Sequence, residues 1–286
     1  MLSRETYAEL LSALSVPSGS FVDLKAIERK FPEIKLETLI SIYSSESQIK
    51  VIKSNHIHRG NLHEYCSRYL AGEDILQICA SVDFPPCMMM RRFLEHLFKV
   101  NKQLVGDMLK DPTVLYKATV VDSDILTATI KERLRHDIMR CVRSDPCYSP
   151  LSDLAKQAAG LEHEMLLEKS LTSLGVSFWT EADLRAQGFF KTPDIWLKVP
   201  ISVFDPSEGV WKIVSWIDSK ATFGDDRIHA KQMEDQYNTY VNRYGSGLVI
   251  YWFGCLTGLG RANANVMVLD SFPDSSAVLA LPRKIF

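Results

Sequence analysis

Residues 191–220 read Lys-Thr-Pro-Asp-Ile-Trp-Leu-Lys-Val-Pro-Ile-Ser-Val-Phe-Asp-Pro-Ser-Glu-Gly-Val-Trp-Lys-Ile-Val-Ser-Trp-Ile-Asp-Ser-Lys. Asp194 stands near the start and Asp218-Ser219-Lys220 at the end, with 23 residues between the two aspartates. Asp194 to Val199 and Val210 to Ile217 are rich in Ile, Val and Trp, which predicts two neighbouring strands and their connection. Side chains alternate along a strand, so Asp218 and Lys220 are expected on one face, with Ile213, Ser215 and Ile217 on the other. Two carboxylates and one ammonium are thereby expected to converge beside a sheet.

Outward from this stretch the periodicity alternates between helix and strand. Leu151 to Leu174 predicts one long helix, Val176 to Thr180 a strand, and Ala230 to Tyr244 a helix. Gly247 to Phe253 is a continuous apolar run, as in a buried strand, and Asn265 to Leu269 predicts a last strand. Residues 149–286 are therefore expected to form an α/β domain, a central mixed sheet flanked by helices. The turn-rich Asp145-Pro-Cys-Tyr-Ser-Pro150 is the expected joint.

Residues 1–148 read as an all-helical region with two helix-turn-helix-like units. Tyr7, Leu10, Leu11 and Leu14 fall at helical spacing, and Pro17-Ser-Gly-Ser20 breaks the pattern. The first unit pairs a short helix from Phe21 with a second holding Leu36, Leu39, Ile40 and Tyr43. In the second unit, a helix over Glu73–Val82 and a turn at Asp83-Phe-Pro-Pro86 precede a helix over Met88–Val100. Arg91 and Arg92 near the start of that last helix are candidate nucleic-acid contacts. Lys131 and Arg135, in the basic helical stretch Asp122–Val142, are two more. For all four, a solvated helix face is the plainer reading.

The 286 residues are 46% hydrophobic and 24% charged, enough to bury a core and too apolar for disorder over most of the length. A net charge of −2 excludes a broadly cationic surface, so nucleic-acid contact must come from local patches. No apolar window reaches spanning length and the first residues lack an apolar signal core, so neither a membrane span nor secretion is expected. The six cysteines form no Cys-x-x-Cys pair and are expected reduced and packed. His56, His58 and His63 are expected in a polar, partly exposed loop.

Two carboxylates held close together repel each other and resist desolvation. Mg²⁺ (or Mn²⁺) removes that conflict, because it takes oxygen ligands and keeps waters for substrate and nucleophile. A charged lysine is no ligand, but it can orient water and stabilise charge building on phosphorus. Asp194, Asp218 and Lys220 thus make a set for phosphodiester hydrolysis. Glu164, in Gly160-Leu-Glu-His-Glu164 on the preceding helix, is a candidate third acid, and Glu168, one turn later, competes for that role. Gln236 and Tyr240, four apart on the helix after Lys220, can position substrate or lysine.

This order of motifs resembles the PD-(D/E)xK nuclease superfamily in its Holliday-junction-resolvase-like branch. More closely, the chain resembles the codanin-interacting nuclease family over nearly its whole length. The telling stretches are Gly160–Glu164, Lys191–Trp196, Ser219–Asp225 and Gly247–Gly254. The resemblance implies a restriction-endonuclease-like core and a catalytic set of Asp194, Asp218, Lys220, Glu164 and Gln236. Asp194, Asp218 and Glu164 would be the metal ligands, and the family's pattern accepts Asp or Glu at position 218. It further implies DNA, structured or single-stranded, as substrate, codanin as partner, and a location in nucleus and cytoplasm; resolvase relatives are dimers. The competing expectation is a weakly catalytic or non-catalytic partner of codanin that keeps a nuclease fold for binding. A transcription factor built on the helix-turn-helix units would leave the C-terminal acids unexplained.

Overall fold

A computed structural model describes residues 1–15, 22–117, 127–261 and 263–280. The expected turn at 17–20, the helix start at Phe21 and the first part of the helix expected from Asp122 lie outside these residues. The N-terminal region is helical: α1 (Arg4–Leu14), α2 (Leu24–Lys30), α3 (Leu36–Gly60), α4 (Leu62–Leu70), α5 (Ile75–Ser81), α6 (Pro86–Phe98), α7 (Lys102–Lys110), α8 (Val114–Lys117) and α9 (Ala128–Ser144). Asp23, Asp74, Asn101 and Thr127 each cap a helix by accepting from backbone N–H groups of its first turn, donors that lack a partner within the helix. His56, His58 and His63 lie on α3 and α4 rather than in a loop. His58 is buried, its ring 4.2 Å from that of Phe84. Helix α10 (Pro150–Ser173) then begins at a proline, whose fixed φ suits a first helical turn.

The remaining elements are β1 (Phe178–Thr180), α11 (Glu181–Ala186), β2 (Ile195–Asp205), β3 (Val210–Lys220), α12 (Asp226–Gln232), a π-helical turn (Met233–Tyr237), α13 (Asn238–Tyr244), β4 (Gly247–Tyr251), β5 (Val266–Leu269) and β6 (Val278–Leu279). They form one mixed sheet of order β1-β2-β3-β4-β5, with β6 also on β2. The β1–β2, β2–β3 and β2–β6 pairs are antiparallel, while β3–β4 and β4–β5 are parallel. The strand expected to be last is followed by β6, whose two residues are too few to leave a periodicity. Strand β2 runs to Asp205, past the expected Val199. Its register against β3 shifts between Trp196 and Ile201. Alternation therefore does not carry from Ile213, which is exposed, to Ile217, which is buried in the core beside Val214.

Packing divides the chain into two compact units: residues 1–12, 34–41 and 157–286, and residues 13–33 and 42–156. A division at 148/149 does not follow this partition, because residues 1–12 and 34–41 belong with the sheet. Leu2 forms a parallel bridge with Leu256, its N–H donating to the Cys255 carbonyl at 2.8 Å. Thr38 donates to the Phe253 carbonyl, and the Phe223 N–H donates to Ser41. One face of the sheet buries Ile195, Val214, Ile217 and Leu248 against Leu167 and Leu171 of α10. The other buries Trp216, Val249 and Tyr251 against Tyr237, Tyr240 and Tyr244. The helical unit has its own core, around Tyr69, Phe93, Leu134 and Ile138. All six cysteines are buried and unbonded. Among the described residues no helix is long and apolar enough to cross a membrane.

Candidate active site

Ile195 pairs with Ile217 across the β2–β3 ladder. Continued by one residue, that register sets Asp194 opposite Asp218. The Asp194 carboxylate accepts the Ser219 N–H at 2.6 Å, and its own carbonyl accepts the Glu181 N–H at 2.9 Å. Lys220 Nζ lies 2.5 Å from Asp218 Oδ2, and the same oxygen accepts the Tyr237 hydroxyl at 3.2 Å. Asp218 is essentially buried, while Lys220 keeps about a quarter of its side chain exposed. Asp218 and Lys220 stand at the carboxyl end of β3, beside its parallel neighbour β4, where open α/β sheets place their ligands.

The electrostatics follow from this burial. Desolvation, and then the Asp218 charge, push the Asp194 carboxyl well above the ordinary carboxylate range. Burial alone would lower the Lys220 ammonium, but Asp218 and Asp194 outweigh it and hold its pKa above the ordinary lysine value. Lys220 is therefore a fixed positive charge. Glu164 is solvent-exposed on α10, yet partial desolvation and the charge of Glu181 raise its carboxyl too. Its charge is felt by Asp194 and Lys220. Glu168 acts on Glu164.

Two contributors were not visible in the sequence. Glu181 is the first residue of α11, whose capping box is Thr180 and Asp183. In the fold it receives the Thr192 hydroxyl at 3.4 Å and braces the loop that carries Asp194. Tyr237 was missed because α-helical spacing puts Gln236 and Tyr240 together. The π turn at Met233–Tyr237 instead turns Tyr237 onto Asp218, while Tyr240 donates to the Thr192 carbonyl at 2.8 Å. Gln236 Oε1 is buried without a hydrogen-bond partner among the described residues. The π turn lies beside the acidic cluster through Tyr237, and π turns concentrate at functional sites.

The four basic candidates belong to the helical unit. Arg92 donates to Asn55 and approaches Glu95, Arg135 pairs with Glu132 at 2.6 Å, and Arg91 reaches the Tyr148 carbonyl at 3.4 Å. Lys131 is partly exposed on α9. Neighbouring Arg133 and Arg140 are held by the Tyr69 carbonyl and by Asp137 and Asp74. Much of the basic charge on α9 thus serves to bind the unit together.

Glu164, Asp194 and Asp218 offer only carboxylate oxygens, the donor type Mg²⁺ takes, so the residues fit such an ion in chemistry. Among the described residues, no three His, Cys, Asp or Glu side chains already stand close enough to hold one.

A family model described as "Protein of unknown function TPD sequence-motif" matches residues 130–272, which include Thr192-Pro193-Asp194. Over 295 aligned residues the chain is 32% identical to CDAN1-interacting nuclease 1 of Homo sapiens and of Mus musculus. It is 34% identical to that of Bos taurus, and each of these alignments covers 98% of both chains. No solved structure matches the chain.

Proposed function

The chain belongs to the CDAN1-interacting nuclease 1 family, and from that premise we propose that it is a metal-dependent nuclease working in complex with codanin, in nucleus and cytoplasm. Its sheet is read as a PD-(D/E)xK core, with Asp194, Asp218 and Lys220 as the catalytic set, Glu164 as the helix acid and Gln236 as a positioning amide. The observation that carries the proposal is the approach of Asp194, Asp218 and Lys220 across β2 and β3, where Ser219, Tyr237 and the ammonium hold the two carboxylates.

In this reading, water attacks phosphorus in line. A new P–O bond forms as the bond to the leaving sugar oxygen breaks, and that oxygen takes up a proton. Lys220, kept charged by Asp218 and Asp194, stabilises the negative charge that accumulates on the non-bridging oxygens. Asp194 and Asp218, with Glu164 as third acid, would hold Mg²⁺ or Mn²⁺. Such an ion supplies Lewis acidity toward the phosphoryl group. Tyr237 keeps the Asp218 carboxylate oriented, and Tyr240 fixes the Thr192 carbonyl two residues before Asp194.

The test is cleavage of end-labelled single-stranded, flapped and four-way-junction DNA in Mg²⁺, Mn²⁺ and EDTA. Asp194→Asn and Lys220→Ala, with folding checked by circular dichroism, are each expected to lose at least about 100-fold in rate. Cutting by both variants at the wild-type rate overturns the assignment. A second reading, a non-catalytic codanin partner, draws on the lack of three acids already gathered for an ion among the described residues. No cleavage by the wild type in any metal, together with a stoichiometric codanin complex, selects it.

A further inference from the structure

Between the loop that precedes Asp194 and helix α13 lies a cavity of about 370 Å³, lined by Gly188, Phe189, Phe190, Trp196, Arg243 and Tyr244. That volume is in the range of ligand pockets, and four of the six lining residues are aromatic. Phe190 is exposed, with the Arg243 guanidinium stacked over its ring at 4.5 Å. Arg243 also donates to the Phe190 carbonyl at 2.6 Å, which fixes ring and cation together. Trp196 and Tyr244 pack at 5.2 Å to form the inner wall. The Tyr244 hydroxyl is buried without a hydrogen-bond partner among the described residues.

The cavity adjoins the acidic cluster through the chain itself. Phe190 precedes Asp194 by four residues, and Trp196 follows it by two, on the same side of the strand. The loop is strapped to its helix by Tyr240 on the Thr192 carbonyl and by Lys191 Nζ on the Asp235 carbonyl. Lys191 itself adopts a left-handed backbone with φ of 49°, so a tightly turned loop presents Phe190 outward.

We infer that this cavity receives an unpaired nucleobase of the strand being cut, stacked on the face of the exposed Phe190 ring that Arg243 leaves open. The inference rests on the nuclease reading and extends it by naming single-stranded or frayed nucleic acid as the substrate class. The chain carries a net charge of −2, so general attraction to a polyanion is weak and stacking must supply what charge does not. A base offers a flat face to Phe190, and its phosphate offers a counter-charge to Arg243. A base inside a duplex cannot enter, because its neighbours cover both faces.

The test is fluorescence anisotropy of the full chain with a labelled single-stranded 12-mer and with the matching blunt duplex, in EDTA and again in Ca²⁺. Single strands should bind tighter than duplex. Phe190→Ala should weaken single-strand binding about 5- to 100-fold and leave duplex binding unchanged, while Phe190→Trp should restore it. Three results overturn the pocket: Phe190→Ala binding like the wild type, a wild-type preference for duplex, or no single-strand binding in either buffer. Weakened codanin binding by Phe190→Ala with intact single-strand binding also overturns it, and makes the cavity a protein contact. Cleavage in Mg²⁺ that ignores Phe190 sinks the pocket but spares the nuclease. Phe190-dependent binding without cleavage in any metal does the reverse.

Discussion

Asp205 shows how single side chains secure the hairpin that carries the acids. It is buried and accepts from Lys212 Nζ at 2.8 Å and from the Ser207 N–H and hydroxyl at 2.9 and 2.8 Å. Burial pushes its carboxyl up, but Lys212 and Ser207 outweigh that and hold it below the ordinary aspartate range. A carboxyl depressed in the folded state adds stability above its unfolded pKa of about 3.9, and that stability is lost as pH falls through the folded value. Asp205→Asn should therefore destabilise the protein by about 1–3 kcal/mol at pH 7. The gap from wild type should close as thermal melts are taken below about pH 4. At this scale Asp194, Asp218 and Lys220 were legible, because strand alternation and ladder register act locally. Glu181 and Tyr237 were not, since each is recruited by a neighbour distant in sequence.

At the scale of elements, β4 shows what a buried parallel strand demands. All five of its residues are buried, and the apolar run announced this directly. The strand ends at Tyr251, two residues short of the expected Phe253. Gly247 has a separate reason: a Cβ there would come within 2.0 Å of the Trp216 ring. Gly247→Ala should thus lower stability by about 1–3 kcal/mol, or more if β3 and β4 cannot part, read from the midpoint of urea unfolding. A midpoint equal to wild type would mean the Trp216 ring has room to move. The segment expected as one helix over 230–244 begins earlier, at Asp226 behind an Asp225 cap, and contains the π turn. The expected start at Ala230 left out that cap and the first turn it holds. The π turn was not readable, because nothing in local propensity asks for a wider turn; it accompanies the packing of Tyr237 on Asp218 and Trp216.

At the scale of the molecule, α/β character and a helical N-terminal region followed from periodicity, but the course of the chain between units did not. Periodicity reports which face of an element is apolar, not which distant element covers it. Tyr7 stacks on Phe223 at 5.6 Å, and Arg4 binds Asp226 through two nitrogens. A fragment starting at residue 149 would lack these contacts along with those of Leu2, Thr38 and Ser41. Such a fragment should melt well below the full chain, by scanning calorimetry, and adding back residues 1–41 in cis should not restore it unless the sheet unit regains those contacts. The six cysteines predict a contrasting indifference: with all of them unbonded, reductant should leave the melting temperature unchanged.

The bridge between Leu2 and Leu256 also sets a timetable. The two residues are 254 positions apart, so at about 5–20 residues per second a ribosome needs on the order of 10–50 s to make the second after the first. Through that interval the segment around Leu2 lacks its partner at Leu256. The sheet unit can close only after residue 257, whose N–H donates to the Leu2 carbonyl, has cleared the exit tunnel, which leaves a nascent apolar segment in need of shelter throughout that wait.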